Sequence, residues 1–95
     1  MVLDVSKING LGEFTTQKEK DRELYFKNDH VFLVMYRNTI EVRCDHKLSN
    51  FLREKYESVM ESRYFGRGGV EIVLAGQLSD SELDDLIRLS YNLTD

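Results

Sequence analysis

Proline is absent from this 95-residue sequence, and cysteine occurs only once. Without proline, turns must be built from glycine, asparagine and aspartate. The single Cys44 excludes a disulfide within the chain and is typical of a reducing cytoplasm. Long apolar runs are also missing, since no stretch approaches the roughly 18 apolar residues of a membrane span. The first ten residues lack the layout of a signal peptide. These absences predict a cytoplasmic protein with no membrane partner.

The composition is that of an ordinary globular domain, with 41% hydrophobic and 32% charged residues. A chain of this length predicts a single domain over residues 1–95. The formal net charge is −4, and it is unevenly distributed. Residues Leu78–Asp95 contain one cation and five anions, so the first 77 residues are neutral. This balance argues against a strong nucleic-acid binder but allows a local basic patch.

The clearest secondary structure is a helix within Leu78–Asp95. Ser79 is a good N-cap, and Glu82 three residues later completes a capping box. The acidic residues that follow suit the positive end of the helix dipole. We expect the helix to start at Ser79 or Asp80. One apolar stripe runs along it at spacings of three and four, formed by Leu83, Leu86, Ile87, Ser90 and Tyr91.

Three strands are predicted before the middle of the chain. Residues 24–26 form the first strand, and Asn28-Asp29 forms a turn. Residues 30–37 are apolar on both faces, as in a central strand. After a turn at residues 37–38, residues 39–44 alternate between the two faces of a sheet. In that strand Ile40, Val42 and Cys44 are predicted to face inward, whereas Glu41 and Arg43 face outward.

The second half begins with a helix capped by Asp45 and running to about Ser58. Its apolar stripe comprises Leu48, Phe51, Leu52, Tyr56 and Val59. Residues 61–65 suggest a short strand, residues 66–69 a glycine-rich turn, and residues 70–75 a further strand.

The first 22 residues are poorly patterned. Their apolar residues suggest a short helix or strand, interrupted by glycines, and residues 15–21 are predicted to be mobile or turn-like. These apolar residues are Val2, Leu3, Val5, Ile8 and Leu11. The whole chain therefore predicts an α+β fold, one antiparallel sheet with two helices packed on one face, in the order β-β-β-α-(β)-β-α.

Residues 84–93 read DDLIRLSYNL, in which a leucine-isoleucine pair is followed by Ser-Tyr and a further apolar residue. In Leu86, Ile87, Ser90, Tyr91 and Leu93 this segment resembles the chain end of the MmcQ/YjbR-like family of small bacterial proteins. Further similarities are in residues 52–56, in residues 25–27 with 31–32, and in residues 70–79. The resemblance covers residues 23–95.

This resemblance implies the double-wing, or CyaY/YjbR-like, fold, which is likened to a domain of a phage transcription activator. From that likeness the family is suggested to bind DNA, and it carries no assigned catalytic residues. This suggestion rests on analogy between folds, and one fold can carry many different functions. It implies a binding protein rather than an enzyme, with no cofactor.

Cations on strands and turns are the candidates for contacting DNA phosphates. Glycines at 66, 68 and 69 would allow close approach of the backbone, and Tyr64 or Phe65 could stack on a base. An ordinary solvated hairpin explains the same residues, because Glu41, Glu71 and Asp45 share these surfaces. The candidate nucleic-acid-binding residues are Lys27, Arg37, Arg43, Arg63, Tyr64 and Arg67.

Other chemical interpretations are weaker. Cys44, Asp45 and His46 are adjacent, so they cannot easily share a metal ion, and Asp45 is better explained as a helix cap. The acidic residues at 80–85 lack the pattern of a calcium loop. A Ser90-Tyr91 proton-transfer pair is less favoured than a packed tyrosine ring with a bonded hydroxyl. We predict no metal site and no catalytic residue.

Two functions follow from the sequence. The first is a non-enzymatic DNA-binding protein that uses sheet and hairpin arginines. The alternative is a protein-interaction or accessory module that uses the acidic C-terminal helix or an exposed sheet edge.

Overall fold

The computed structural model describes residues 3–95, in which a six-stranded antiparallel sheet with two helices on one face forms the framework. The strands are β1 (Thr15–Lys18), β2 (Glu23–Lys27), β3 (His30–Met35), β4 (Thr39–Arg43), β5 (Val59–Ser62) and β6 (Gly66–Val73), and the helices are α1 (His46–Lys55) and α2 (Asp80–Leu93). The strand order in the sheet is β1-β2-β3-β4-β6-β5. The predicted α+β fold is therefore confirmed, with one strand more than the sequence suggested.

Both helices pack on the same face of the sheet. Helix α2 contacts β3 and β4, whereas α1 contacts β5 and β6. Their buried side chains join one core cluster with the inward residues of the central strands, including Leu33, Val42 and Ile72. Neither helix has the length and apolar content that a membrane crossing requires, among the residues described.

The predicted geometry of α2 is confirmed. Ser79 Oγ accepts a hydrogen bond from the Glu82 amide at 3.2 Å, and the Glu82 carboxylate accepts one from the Ser79 amide at 3.0 Å. Both halves of the capping box are thus present. The predicted stripe is buried against the sheet, and it comprises Leu83, Leu86, Ile87, Ser90 and Tyr91.

The β2–β3 hairpin contains a bulge that the sequence did not reveal. Asn28 and Asp29 both have positive φ, as the two central residues of a tight hairpin turn require. Tyr25 then pairs with Leu33, but Phe26 pairs with Val31, which leaves Phe32 as the extra residue. As a result, Phe32 and its neighbour Leu33 both belong to the helix-side core.

Ser90 of α2 fills the gap in hydrogen bonding that the bulge creates. Its hydroxyl accepts a hydrogen bond from the Arg43 amide at 2.7 Å and donates one to the Phe32 carbonyl at 2.5 Å. Ser90 is fully buried. The hydroxyl therefore satisfies two main-chain groups that would otherwise lie unpaired in the core.

The N-terminal segment is more ordered than predicted. A single 3-10 turn covers Val5–Lys7, and Val5 and Ile8 are buried in the main core. The expectation of a mobile or turn-like segment at residues 15–21 is wrong over β1. This strand pairs with β2 through its backbone, and all four of its side chains are exposed. An edge strand whose side chains are all exposed needs no alternation of apolar and polar residues. The sequence pattern therefore did not indicate β1. Val2 lies outside the described residues.

The β5–β6 hairpin is displaced from its predicted position. Residues 66–69 were predicted as a turn, but they form the first half of β6, and the turn lies at residues 63–65. Gly69 pairs with Arg43 in the sheet. A side chain at Gly69 would collide with the Val42 carbonyl and with Phe65. This glycine is therefore required by close packing within a strand.

Helix α1 is shorter than predicted. Asp45 caps it as expected, because its carboxylate accepts a hydrogen bond from the Leu48 amide at 2.8 Å. The helix ends at Lys55, and Val59 is the first residue of β5 rather than part of the apolar stripe. Leu52 is buried, but Phe51 is 55% exposed. The predicted stripe is thus wrong at Phe51 and Val59.

Candidate nucleic-acid interface

The face of the sheet opposite the helices, which we call the open face, carries the candidate site. Strand alternation places Val34, Glu41 and Glu71 on this face, because they pair across β3, β4 and β6. A small apolar cluster covers part of it, formed by Leu24, Val31 and Val34 with Phe26, Tyr36 and Phe65 packed against them.

Glu41 is fully buried, although it was predicted to face solvent. It does lie on the outward face, but residues of the β5–β6 turn cover it. The Ser62 hydroxyl donates to its carboxylate at 2.7 Å and the Tyr64 amide at 2.9 Å. The Tyr36 hydroxyl also donates to it. Glu41 therefore anchors the β5–β6 turn to the middle of the sheet.

The hydrogen bonds around Glu41 determine its ionisation. Burial by itself raises the pKa of the carboxyl, but the donors from Tyr36, Ser62 and the Tyr64 amide outweigh burial and hold the pKa below its ordinary value. Tyr36 is one of these donors, and burial together with its hydrogen bond to Glu41 raises the pKa of its phenol. The pair is thus a carboxylate with a neutral phenol.

Glu71 is the second carboxylate embedded in the open face. Arg63 binds it in a bidentate manner, with Nε at 2.9 Å and Nη2 at 2.8 Å from its two oxygens. The Thr39 hydroxyl donates a further bond at 2.8 Å. The side chain of Glu71 is 8% exposed and that of Arg63 is 67% exposed. The carboxylate is therefore hidden, while the guanidinium it orients faces solvent.

Three arginines on this face stack on aromatic rings. The guanidinium carbon of Arg63 lies 4.9 Å from the ring centre of Tyr36. That of Arg22 lies 5.5 Å from Tyr64. These distances are within the range of cation–π contacts.

The third stack is formed by Arg43, whose guanidinium carbon is 4.9 Å from the ring centre of Phe65. Arg43 also donates from Nε to the Val31 carbonyl at 2.7 Å. Gly69, which pairs with Arg43 in the ladder, leaves the space that Phe65 occupies. Arg43 is thus half-buried and held by a bond to the main chain.

An open-sided cleft of about 600 Å³ lies at one end of the open face. The β1–β2 turn forms one wall through residues 19–22, and Arg63 and Tyr64 of the β5–β6 turn form the other. Tyr36 also lines it. Arg22 is held there by Glu19, whose carboxylate accepts a hydrogen bond from Nε at 2.6 Å. Tyr64 is 40% exposed.

The cleft brings together two of the predicted site residues, Arg63 and Tyr64, and Arg43 lies against Phe65 outside the cleft. Lys27 lies elsewhere, at the C-terminal end of α2, where Nζ donates to the Tyr91 carbonyl at 3.0 Å. It also lies 4.5 Å from the ring centre of Tyr91. This position lets Lys27 neutralise the negative end of the helix dipole.

The other two predicted residues, Arg37 and Arg67, are exposed. Arg37 lies in the β3–β4 turn and does not line the cleft. Arg67 lies in β6 near its start, beyond the turn that carries Arg63 and Tyr64. Arg67 is close in sequence to Arg63 and Tyr64, and Arg37 directly follows Tyr36.

Sequence reasoning missed Arg22 and Tyr36. Glu23 pairs with Met35, so Arg22 and Tyr36 are the next neighbours along their strands. A regular hairpin register from the turn at residues 28–29 would instead have placed Arg22 opposite Met35. The bulge at Phe32 shifts the register by one residue and brings Arg22 to Tyr36.

The chemical alternatives considered from the sequence have structural explanations. Burial, followed by the charge of Asp45, raises the pKa of the Cys44 thiol to about 11, so it stays protonated. The Tyr91 ring packs edge-on against Phe32 at 5.0 Å, and its hydroxyl donates to the Glu13 carbonyl at 2.9 Å. Residues 3–95 contain no group of three or more His, Cys, Asp or Glu residues placed to hold a metal ion.

The fold is similar to that of a crystal structure of a protein from Pseudomonas syringae, determined by the Northeast Structural Genomics Consortium. The TM-score is 0.74 at 16% sequence identity, and the alignment covers 86% of this chain and 87% of that chain. No protein-family model and no curated protein matches the sequence. At this identity the likeness shows the fold alone. Membership of the MmcQ/YjbR-like family stays a prediction.

Proposed function

We propose that this protein is a non-enzymatic DNA-binding module that uses the open face of its sheet. The observation that carries the proposal is the set of three arginine–aromatic stacks on that face, formed by Arg22, Arg43 and Arg63. Guanidinium groups contact phosphates and stack on bases, and exposed aromatic rings add further stacking surface. The resemblance of residues 84–93 to the MmcQ/YjbR-like family points in the same direction.

The distribution of charge supports this orientation. The acidic residues of α2 lie in the helix layer, because α2 packs on the other face of β3 and β4. Glu41 and Glu71 belong to the open face, but both are buried beneath the groups that bind them. An anionic polymer that approaches the protein is therefore repelled by α2, whereas the open face offers it arginines.

The same contacts predict weak, mostly electrostatic binding to duplex DNA. No basic helix is available for a major groove, and α2 is acidic. With two or three phosphate contacts, the slope of log affinity against log salt should be about 2–3. Affinity should then fall only modestly between low and physiological salt, with little sequence preference.

The test is a fluorescence-anisotropy titration with mixed-sequence DNA at low and moderate salt. Arg67→Ala should lower the salt slope by about 0.9 if this exposed arginine neutralises one phosphate. Lys47→Ala is the control, since Lys47 is also exposed but lies on α1 in the helix layer. Absence of binding to both duplex and single-stranded DNA at low salt would overturn the proposal, because electrostatic attraction is strongest there.

Protein interaction is a second candidate, favoured by β1. This strand lies at the edge of the sheet, its only strand neighbour among residues 3–95 is β2, and all four of its side chains are exposed. Such an edge can accept an extended peptide as an additional strand. If no form of DNA binds at low salt, this candidate becomes the favoured function.

A further inference from the structure

We infer that the cleft between the β1–β2 and β5–β6 turns receives unpaired bases, so that single-stranded DNA is the preferred ligand of the open face; this inference rests on the proposed function. The cleft is lined by two tyrosines, Tyr36 and Tyr64, and by the two arginines that stack on them, Arg63 and Arg22. Its volume of about 600 Å³ falls within the range of pockets that bind small organic ligands.

Arg22 and Arg63 present planar guanidinium surfaces to a ligand, while their positive charges are paired with carboxylates. Glu71 holds Arg63 in a bidentate pair, and Glu19 holds Arg22 at 2.6 Å. Each carboxylate offsets the charge of its arginine and fixes the guanidinium plane. The outer face of Arg63 remains available, since its side chain is 67% exposed. A guanidinium plane fixed in this way is suited to stacking on a base.

The tyrosines are also fixed before any ligand arrives. The Tyr36 hydroxyl donates to the buried Glu41, which orients the ring in the cleft. The Tyr64 amide donates to the same carboxylate at 2.9 Å, which positions the turn beneath its exposed ring. A surface already held in its bound arrangement loses little conformational entropy when it binds.

Stacking of this kind distinguishes single strands from duplexes. In a duplex the faces of the bases are hidden in the stack, so only phosphates and groove edges reach a protein surface. In a single strand every base presents an aromatic face, and contact with an aromatic side chain is favourable and tolerant of sequence. The carboxylates of Glu19 and Asp21 in the wall of the cleft can in addition accept hydrogen bonds from the amino groups of bases.

The experiment measures the affinity of the intact protein for three fluorescent probes of the same length. They are a mixed-sequence single-stranded DNA of about 10 nucleotides, its duplex, and a backbone of the same length without bases. At low salt we expect the single strand to bind at least about fivefold more tightly than either other probe, since one stacked base contributes at least about that factor. Tyr64→Ala should remove most of this preference, and Tyr64→Phe should retain it.

Arginine variants separate stacking from charge. Arg22→Lys keeps the positive charge but loses the planar group, so it should weaken binding to the single strand. Arg88→Lys is the control and should leave affinity unchanged, because Arg88 lies on α2 in the helix layer, where it pairs with Asp85. Thermal unfolding of each variant checks that the fold is retained.

Different results would overturn the proposed function and the single-strand inference. Binding to no probe at low salt overturns the proposed function. Equal or tighter binding of the duplex overturns only the single-strand inference, and so does equal binding of the backbone without bases. An unchanged affinity of Tyr64→Ala for the single strand overturns it as well, even if DNA binding itself remains.

Discussion

The Ser62 hydroxyl of β5 donates a hydrogen bond to the buried Glu41 carboxylate of β4 at 2.7 Å. Strand β6 lies between these two strands in the sheet. The bond therefore spans a neighbouring strand and ties the β5–β6 turn to the middle of the open face. Ser62 Oγ also accepts a bond from the Phe65 amide at 2.8 Å, so one hydroxyl organises the turn that presents Arg63 and Tyr64.

Replacing Glu41 by Gln should destabilise the protein by about 1–3 kcal/mol at neutral pH, because three donors lose a charged acceptor. The folded-state pKa of Glu41 lies below its ordinary value of 4.5. Its contribution to stability is therefore complete above pH 4.5 and is lost as the pH falls through the folded-state pKa. The difference between wild type and Glu41→Gln should shrink over that interval.

Urea unfolding at a series of pH values measures the Glu41 effect. Glu54→Gln is the control, since Glu54 is exposed on α1. A difference between wild type and Glu41→Gln that stays constant from neutral pH to well below 4.5 would contradict the assigned ionisation.

Ser90→Ala should cost about 1–3 kcal/mol, since the Phe32 carbonyl and the Arg43 amide would both lose their partner in the core. The loss is larger than a surface serine would show because Ser90 is fully buried. Asn92→Ala, on an exposed position of the same helix, should change stability by no more than about 0.5 kcal/mol. Equal unfolding midpoints for the two variants would show that the hydroxyl does not support the bulge.

Ser79→Ala should destabilise the protein by about 0.5–2 kcal/mol without changing the fold, because the Glu82 amide loses its acceptor. Ser81→Ala, two residues later in the first turn of α2, should have an effect within about 0.5 kcal/mol. Denaturant unfolding of both variants, together with circular dichroism of the folded state, makes the comparison. A Ser79→Ala midpoint identical to wild type would mean that the cap is not formed in solution.

Arg63→Ala and Arg67→Ala should differ in stability, although both arginines follow β5 within six residues. Loss of Arg63 removes the bidentate partner of the nearly buried Glu71, and we expect a cost of about 1 kcal/mol after allowing for the solvent exposure of Arg63. Arg67 is exposed, so its removal should change stability by less than about 0.5 kcal/mol. Thermal unfolding measures both, and equal losses would argue against a stabilising role for the ion pair.

The sequence determined those elements whose prediction depends only on residues close together in the chain. The capping box at Ser79 and Glu82 and the apolar stripe from Leu83 to Tyr91 depend on spacing within one helix, so the start of α2 and its buried face were predicted correctly. The turn at Asn28-Asp29 depends on two residues that tolerate positive φ. Alternation along residues 39–44 likewise assigned Glu41 and Val42 to opposite faces.

Tertiary structure decided the features that depend on pairing between distant segments. Strand β1 carries no apolar signal, because its place at the edge is set by hydrogen bonds to β2. The bulge at Phe32 changes the register by one residue, and only then does Arg22 reach Tyr36. Likewise, alternation placed Glu41 outward, but the β5–β6 turn covers it. Exposure and proximity on the open face are therefore properties of the assembled sheet, which spacing along the chain does not encode.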